Sequence, residues 1–440
     1  MRRKSLLNKR LARFALPCIA AICVGCVVAA AADPASPQIP DHRFNITDFG
    51  AVPDGKTLNT DAIAKAIKAC TADGGGSVIV PAGTFLTGPF SLASVLDFHL
   101  EKGALLRFTD DEKAFPLHKQ RYQDCIVAEN CHDLAITGEG TIDGQGQKWW
   151  AAFLKVKNTP EMKNAKHRPD LITLAHCSTV RVQGITLSNS PMFHLVPKEC
   201  RDVTIDGVHF SAPANSPNTD ALDPSGWNYL ITNCVFDTGD DCIAVKATGL
   251  AEPGHVSCED FNINHCTFLR GHGMSIGGQT EGGLRHLKVS DCTFDGTEAG
   301  IRMKAGRGYG GVVEDVEYDN LKMNNVKAAI VITSFYPEKI KDPANDPPQE
   351  LNETTPIWRH IRINNVTATN CASAGMILGL AEAPVEDVVL TNVHITADAG
   401  LQIVHAQGIR FVDSSITTQR PPAISGSDSE ISGIDRASGH

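Results

Sequence analysis

Carboxylates, an imidazole and two cations fall in one order along the middle of this 440-residue chain. Asp220 closes Asn218-Thr219-Asp220, and Asp240 and Asp241 follow Gly239. His272 stands between Gly271 and Gly273, and Arg302 and Lys304 stand two residues apart beyond it. Paired carboxyl groups suit hydrolysis, because one can protonate a leaving oxygen while another activates water. Crowding disfavours their joint ionisation, so one member can keep its proton as the acid. In inverting sugar hydrolysis the two carboxyl groups stand roughly 6.5–9.5 Å apart, which leaves room for the water. Arg302 and Lys304 face one side of a strand, where a planar fork beside a point charge can hold a carboxylate. Taken singly, Asn-Thr-Asp and Gly-Asp-Asp read as turns with side chains bonded to backbone. Asp223 is read as structural, because the carboxylate set is complete without it.

Such distant residues converge only if the chain returns repeatedly to the same face, and the sequence contains the repeat that would do this. Lines built from a turn, a β-rich run, a Gly or Asn and a second β-rich run recur at Cys177–Ser188, Cys200–Ser211, Trp227–Asp237, Cys258–Leu269 and Leu284–Asp295. They continue at Val313–Asn324, Trp358–Thr369 and Val385–Thr396. Short alternating runs rich in Val, Ile, Thr and Phe are strand patterning. Several short strands per repeat imply a parallel β-helix, whose coils bury their inward side chains against one another. Equivalent slots should then stack: Cys234 with Cys266 and Cys292, and Phe236 with Phe268 and Phe294. The cysteines read as an internal ladder of small apolar side chains. Asn233, Asn264 and Asn325 read as a recurring turn feature. Asp240 and Asp241 would point to opposite faces of a regular strand, so a bend is expected at Gly239.

The flanks are equally readable. Asn59 or Thr60 can cap a short helix from about Asp61 to Cys70, placed to cover the open end of the stack. Gln145 to Asp170 and Pro337 to Pro356 break the repeat and read as long loops, the usual carriers of function on a solenoid. Trp149 and Trp150, in the first of them, suit either a sugar-stacking wall or a hydrophobic anchor. His194 suits either a cleft contact or a satisfied structural histidine.

At the N-terminus Arg2, Arg3, Lys4, Lys9, Arg10 and Arg13 precede an apolar run and then small residues from Ala29 to Ala32. That order is a secretory leader. We expect three parts: a signal peptide over residues 1–32, a single β-helix domain over 33–419, and a polar, disordered tail over 420–440. The protein is then secreted or periplasmic, with lipid attachment at Cys26 as the weaker alternative. No later stretch is long enough to span a bilayer. Losing the leader takes the formal charge from −10 to −16, because its six cations carry no acids with them. That charge argues against a nucleic-acid partner. Eleven of the fourteen cysteines remain, with no pair at zinc spacing, so no structural zinc is expected.

The ordered motifs Asn-Thr-Asp, Gly-Asp-Asp, Gly-His-Gly and Arg-x-Lys resemble those of the polygalacturonases of glycoside hydrolase family 28. Asp48–Leu58, Val80–Phe90, Ile136–Trp150 and Asn189–Leu195 are similar to that family as well, so the resemblance spans roughly residues 45 to 415. One such motif is weak; four in order are specific. The resemblance implies an all-β fold, a single-stranded right-handed parallel β-helix of the pectin-lyase-like type with an N-terminal capping helix. It implies hydrolysis of α-1,4-D-galacturonosidic links in pectin by single-displacement inversion, with no metal or other cofactor and with a polysaccharide as partner of a monomer. Asp240 would be the general acid, Asp220 and Asp241 would hold and deprotonate the water, and His272 would support the acid. Arg302 and Lys304 would bind the galacturonate carboxylate, with Asn218 and Tyr336 as further binding residues. Two departures stand out. Met303 replaces the usual isoleucine or leucine, and Gly278-Gln279-Thr280-Glu281-Gly282-Gly283 differs from the family's serine-containing stretch. Two alternatives remain open: a calcium-dependent lyase with Arg302 as base, and a non-catalytic carbohydrate-binding solenoid.

Overall fold

The short alternating runs fold as strands that pair in parallel with the strand one repeat earlier. The computed structural model describes residues 32–248, 256–338 and 340–434. The expected leader lies outside them except for Ala32. One column of strands climbs through His132–Gly138, Ser178–Gln183, Cys200–Asp206, Gly226–Thr232, Cys258–Asn264 and Leu284–Ser290. A second runs through Thr186–Ser188, His209–Ser211, Val235–Asp237 and Thr267–Arg270. A third is built from Ile243–Val245, Met274–Gly277, Ala299–Lys304 and Ala328–Thr333, and single bridges extend it back through Leu222 to Leu195. The chain is thus a right-handed parallel β-helix, and the third column carries the site.

Register along the columns puts like residues on top of one another. The rings of Phe210, Phe236, Phe268 and Phe294 stack with centroids 5.1, 4.9 and 4.4 Å apart. Each is almost fully buried, which contributes about 1.5–3 kcal/mol per side chain. Cys234, Cys266 and Cys292 form the expected buried ladder, each thiol donating to the carbonyl two residues before it at 3.1–3.2 Å. All eleven cysteines from Cys70 onward are buried and unpaired. The recurring turn is left-handed at Asn233 and Asn325. In the coil between, however, the positive φ falls on His265, one residue after Asn264.

The capping helix, α1, spans Thr60–Ala72 and buries Ile63, Ala66 and Ile67. Asn59 precedes it but does not cap it. Its amide instead takes the carbonyls of Val52, Thr57 and Leu86 and accepts from the Val52 N–H, tying the helix to the first strands. The segment from Gln145 to Asp170 is not merely a loop: it holds a second helix, α2, over Gln147–Val156. Trp150 donates to the Ser190 carbonyl at 3.0 Å, and Trp149 packs edge-on to Phe115 and Tyr122. Both indoles are therefore anchors.

The polar tail expected from residue 420 is instead strand as far as Ser432. Ile424 sits over Leu401 in register, and Ala423 and Ile424 are buried. Two apolar side chains on the inward face and a parallel neighbour outweigh the Ser/Gly composition. Among the described residues no helix is long and apolar enough to cross a membrane.

Candidate active site

The third strand column brings the sequence clusters together. Arg302 pairs in register with Ser275 and Lys304 with Gly277 on the coil below. The Ala221 amide donates to the Asp241 carbonyl and the His194 amide to the Asp220 carbonyl, so Asp220 and Asp241 occupy successive rungs. His194 is wholly buried, with its ring within 3.1 Å of the Asp220 carbonyl and 3.3 Å of the Ser211 carbonyl. Burial lowers it to about 4 despite those contacts. It is a neutral structural histidine that fixes the Asp220 backbone.

The expected bend at Gly239 has a different basis from the one anticipated. A Cβ there would lie 2.5 Å from the Ser216 carbonyl, so the glycine permits close approach, and its φ is not positive. The left-handed residues are Gly271 and Gly273, at φ 99° and 84°, on either side of His272. They turn His272 so that Nδ1 lies 3.0 Å from Asp240 and 3.3 Å from Asp241. Asp241 is the hub: Arg302 reaches Oδ1 at 2.5 Å, Lys304 reaches Oδ2 at 2.6 Å, and the buried Ser275 hydroxyl donates to Oδ1 at 3.1 Å. Tyr336 borders both cations, its ring centre 4.8 Å from Lys304 Nζ and 5.9 Å from the Arg302 guanidinium carbon. Its ring lies against Gly278, where a Cβ would come within 2.4 Å. The glycine-rich stretch that departs from the family pattern therefore seats Tyr336. Asn218, held in a left-handed turn at φ 55°, accepts from Arg168 at 2.7 Å.

The acids sit in unlike surroundings. Burial would raise Asp241, but Lys304, His272 and Arg302 outweigh it and hold the carboxyl far below its usual range. Burial likewise opposes ionisation of Asp240, and its hydrogen bond with His272 more than offsets this. Asp220 goes the other way, pushed well above the usual range by burial and then by the charge of Asp223. Burial disfavours the His272 cation, yet its bonds to Asp240 and Asp241 raise the imidazole to about 9. Between Asp240 and His272, the proton thus rests more readily on His272.

Four contributors were not singled out from the sequence. Arg168 donates to the carbonyls of Pro191 and Pro217 and clamps Asn218. Glu298 lies 3.3 Å from Nε2 of His272 and pairs with Lys327. Ser275 and Lys246 complete the set. Each takes its meaning from register between coils, which no motif in the sequence announces.

Three ligand atoms of Asp240, Asp241 and His272 lie close enough to hold a cation. The donor set does not suit one. Arg302 and Lys304 already neutralise the Asp241 carboxylate, one at each oxygen, and the two aspartates favour a proton on His272.

A family model for glycosyl hydrolases family 28 matches residues 70–415, and one for rhamnogalacturonase A/epimerase, pectate lyase-like, matches residues 43–90. A probable polygalacturonase of Vitis vinifera is 33% identical, over 81% of this chain and 75% of that relative. An endo-polygalacturonase of Pectobacterium parmentieri is 33% identical over 78% and 86%. Among solved structures, the exopolygalacturonase of Thermotoga maritima superposes with a TM-score of 0.71 at 26% identity, covering 87% of this chain and 94% of that one.

Proposed function

This chain belongs to family 28 of the glycosyl hydrolases and is a polygalacturonase-type enzyme, and on that premise we propose how it cleaves galacturonan. The observation that carries the proposal is the convergence of Asp240 and Asp241 on His272 while Asp241 is clasped by Arg302 and Lys304. Asp240 is the general acid. Its side chain is 23% exposed, against 6% for Asp220 and 4% for Asp241, so it reaches furthest toward a glycosidic oxygen. The proton it gives up is supplied across the 3.0 Å contact by His272. Water held by Asp220 and Asp241 attacks the anomeric carbon from the opposite face, and its proton passes to the Asp220 carboxylate as the C–O bond to the leaving sugar breaks. Arg302 and Lys304, steered by the ring of Tyr336, bind the galacturonate carboxylate. Asn218 positions the loop that carries Asp220.

We also propose that the protein is exported and acts as a monomer. The basic, apolar, small-residue order of its first 32 residues supports export.

Purified protein incubated with polygalacturonate and a chelator is expected to release reducing ends without ultraviolet absorbance. Absorbance that requires calcium would move the chemistry to β-elimination. Tight binding with no product would favour a carbohydrate-binding solenoid.

The pH profile follows from His272. A group raised above its ordinary 6.5 favours the folded, competent site below that value and ceases to as pH climbs through about 9. The basic limb of kcat/KM should therefore lie near pH 9. A limb at the ordinary histidine value would show that the two aspartates do not hold the imidazolium.

A further inference from the structure

Arg302 and Lys304 neutralise Asp241, and His272 serves Asp240, which leaves Asp220 to be accounted for. Asp220 and Asp223 are both almost fully buried, at 4% exposure each, and among the described residues one oxygen of Asp223 has no hydrogen-bond partner. Two such carboxylates side by side would share a proton, and a protonated Asp220 cannot take one from water.

The cation that faces them is Lys246. Its ammonium is paired with Asp223, lies 3.5 Å from Asp220, and sits 4.3 Å from the centre of the Phe193 ring. The strand register explains why it is there. Val245 pairs with Ile276 and Gly277 with Lys304, so continuing the ladder by one residue puts Lys246 and Lys304 in the same slot of the column on either side of Gly277. A Cβ at Gly277 would lie 1.9 Å from the Lys304 carbonyl, so the slot between the two lysines accepts no side chain. Each serves a different acid, Lys304 the Asp241 carboxylate and Lys246 the Asp220–Asp223 pair.

We propose that Lys246 is a positioning residue for hydrolysis, its ammonium drawing Asp220 toward ionisation against burial and the Asp223 charge and aiming it at the nucleophilic water. The inference rests on the hydrolytic reading above and adds a residue to it. The other charges facing this corner are Asp240, Asp241, Lys304 and, toward Asp220, Arg168. Arg168 spends its donors on two carbonyls and Asn218, so it does not replace the ammonium. Burial opposes the charge of Lys246, but Asp223 and Asp220 outweigh it and raise the ammonium above its ordinary value. It therefore remains charged wherever the enzyme works.

The test is kcat and KM for polygalacturonate across pH in the wild type, Lys246→Arg, Lys246→Met and the double variant Lys246→Met/Asp223→Asn, with circular dichroism of each. Without the ammonium the acid limb of kcat should move upward by about one pH unit, so that activity on that limb falls about tenfold and recovers as pH rises. KM should stay near the wild-type value. Arginine should keep the limb in place. Asp223→Asn added to Lys246→Met should bring the limb back, because it removes the competing charge; it also spares the fold an unpaired buried carboxylate. A loss that is uniform across pH, or a limb that does not move in the folded double and single variants, would overturn the role. A wild type that releases no reducing ends would overturn the hydrolytic reading itself, and this inference with it.

Discussion

Asp240→Asn is expected to lower kcat on polygalacturonate by about a thousandfold while changing KM little, the scale of loss for a positioned general acid. The substitution is nearly isosteric. Its amide oxygen can still accept from the Asp241 N–H, which bonds Asp240 at 3.0 Å, and from His272. What it cannot do is hand a proton to a departing sugar oxygen. Arg302 and Lys304 contact Asp241 and not Asp240, so carboxylate binding should survive. Reducing-end release at saturating substrate, with circular dichroism to show an unchanged fold, reads the result. Retention of even a tenth of the wild-type kcat would require another acid, and Glu298, on the far side of His272, would be the first to examine.

Asp241→Asn should cost as much activity and also weaken the fold, and this pairing of effects distinguishes it from its neighbour. Asp241 is the common partner of Arg302, Lys304 and His272, and the Lys304 side chain is only 4% exposed. Removing one partner of a buried charge pair costs about 3–5 kcal/mol, because the other charge is left without compensation. Melting should therefore fall clearly below that of Asp240→Asn, whose side chain is 23% exposed. The sign of the pH dependence follows as well. A carboxyl held below its ordinary 3.8 stabilises the fold above that value, and the contribution fades only as the pH falls below it. The gap in melting temperature between wild type and variant should be full at neutral pH and close in strong acid. Equal melting at neutral pH would mean that the cations find other partners.

The coil stack and the principal acids and cations were legible because both are written as patterns. Period-two runs separated by turns specify strands, and recurring Cys and Phe slots specify a parallel stack. The missed residues are those whose meaning depends on register between coils. Arg302 meets Asp241 across 61 positions and Lys304 meets it across 63, while Lys246 meets Asp223 across 23. Coil lengths vary, so no fixed spacing in the sequence announces which lysine stands beside which acid. Lys246 stands out only when the ladder sets it in the slot of Lys304. In the last strand, pairing outweighs composition. Ser, Gly and Asp suit disorder in isolation, but here Ala423 and Ile424 find an apolar interior waiting on the previous coil. The sequence alone leaves two roles open for His194 and the two tryptophans, since only three-dimensional neighbours tell a wall from an anchor.

The eleven thiols from Cys70 onward, all buried and none bonded to another, tie this fold to the speed of its own assembly. Once the coils close, the sulfur atoms are out of reach of oxidants. Before closure, they are strung along a chain whose neighbouring rungs are separated by only a few dozen residues. In an oxidising compartment, assembly is thus a race between zipping and wrong cross-linking. The winding must enclose each cysteine sooner than a second one finds it, and a slowed mutant would emerge as covalently scrambled material even where its finished fold is sound.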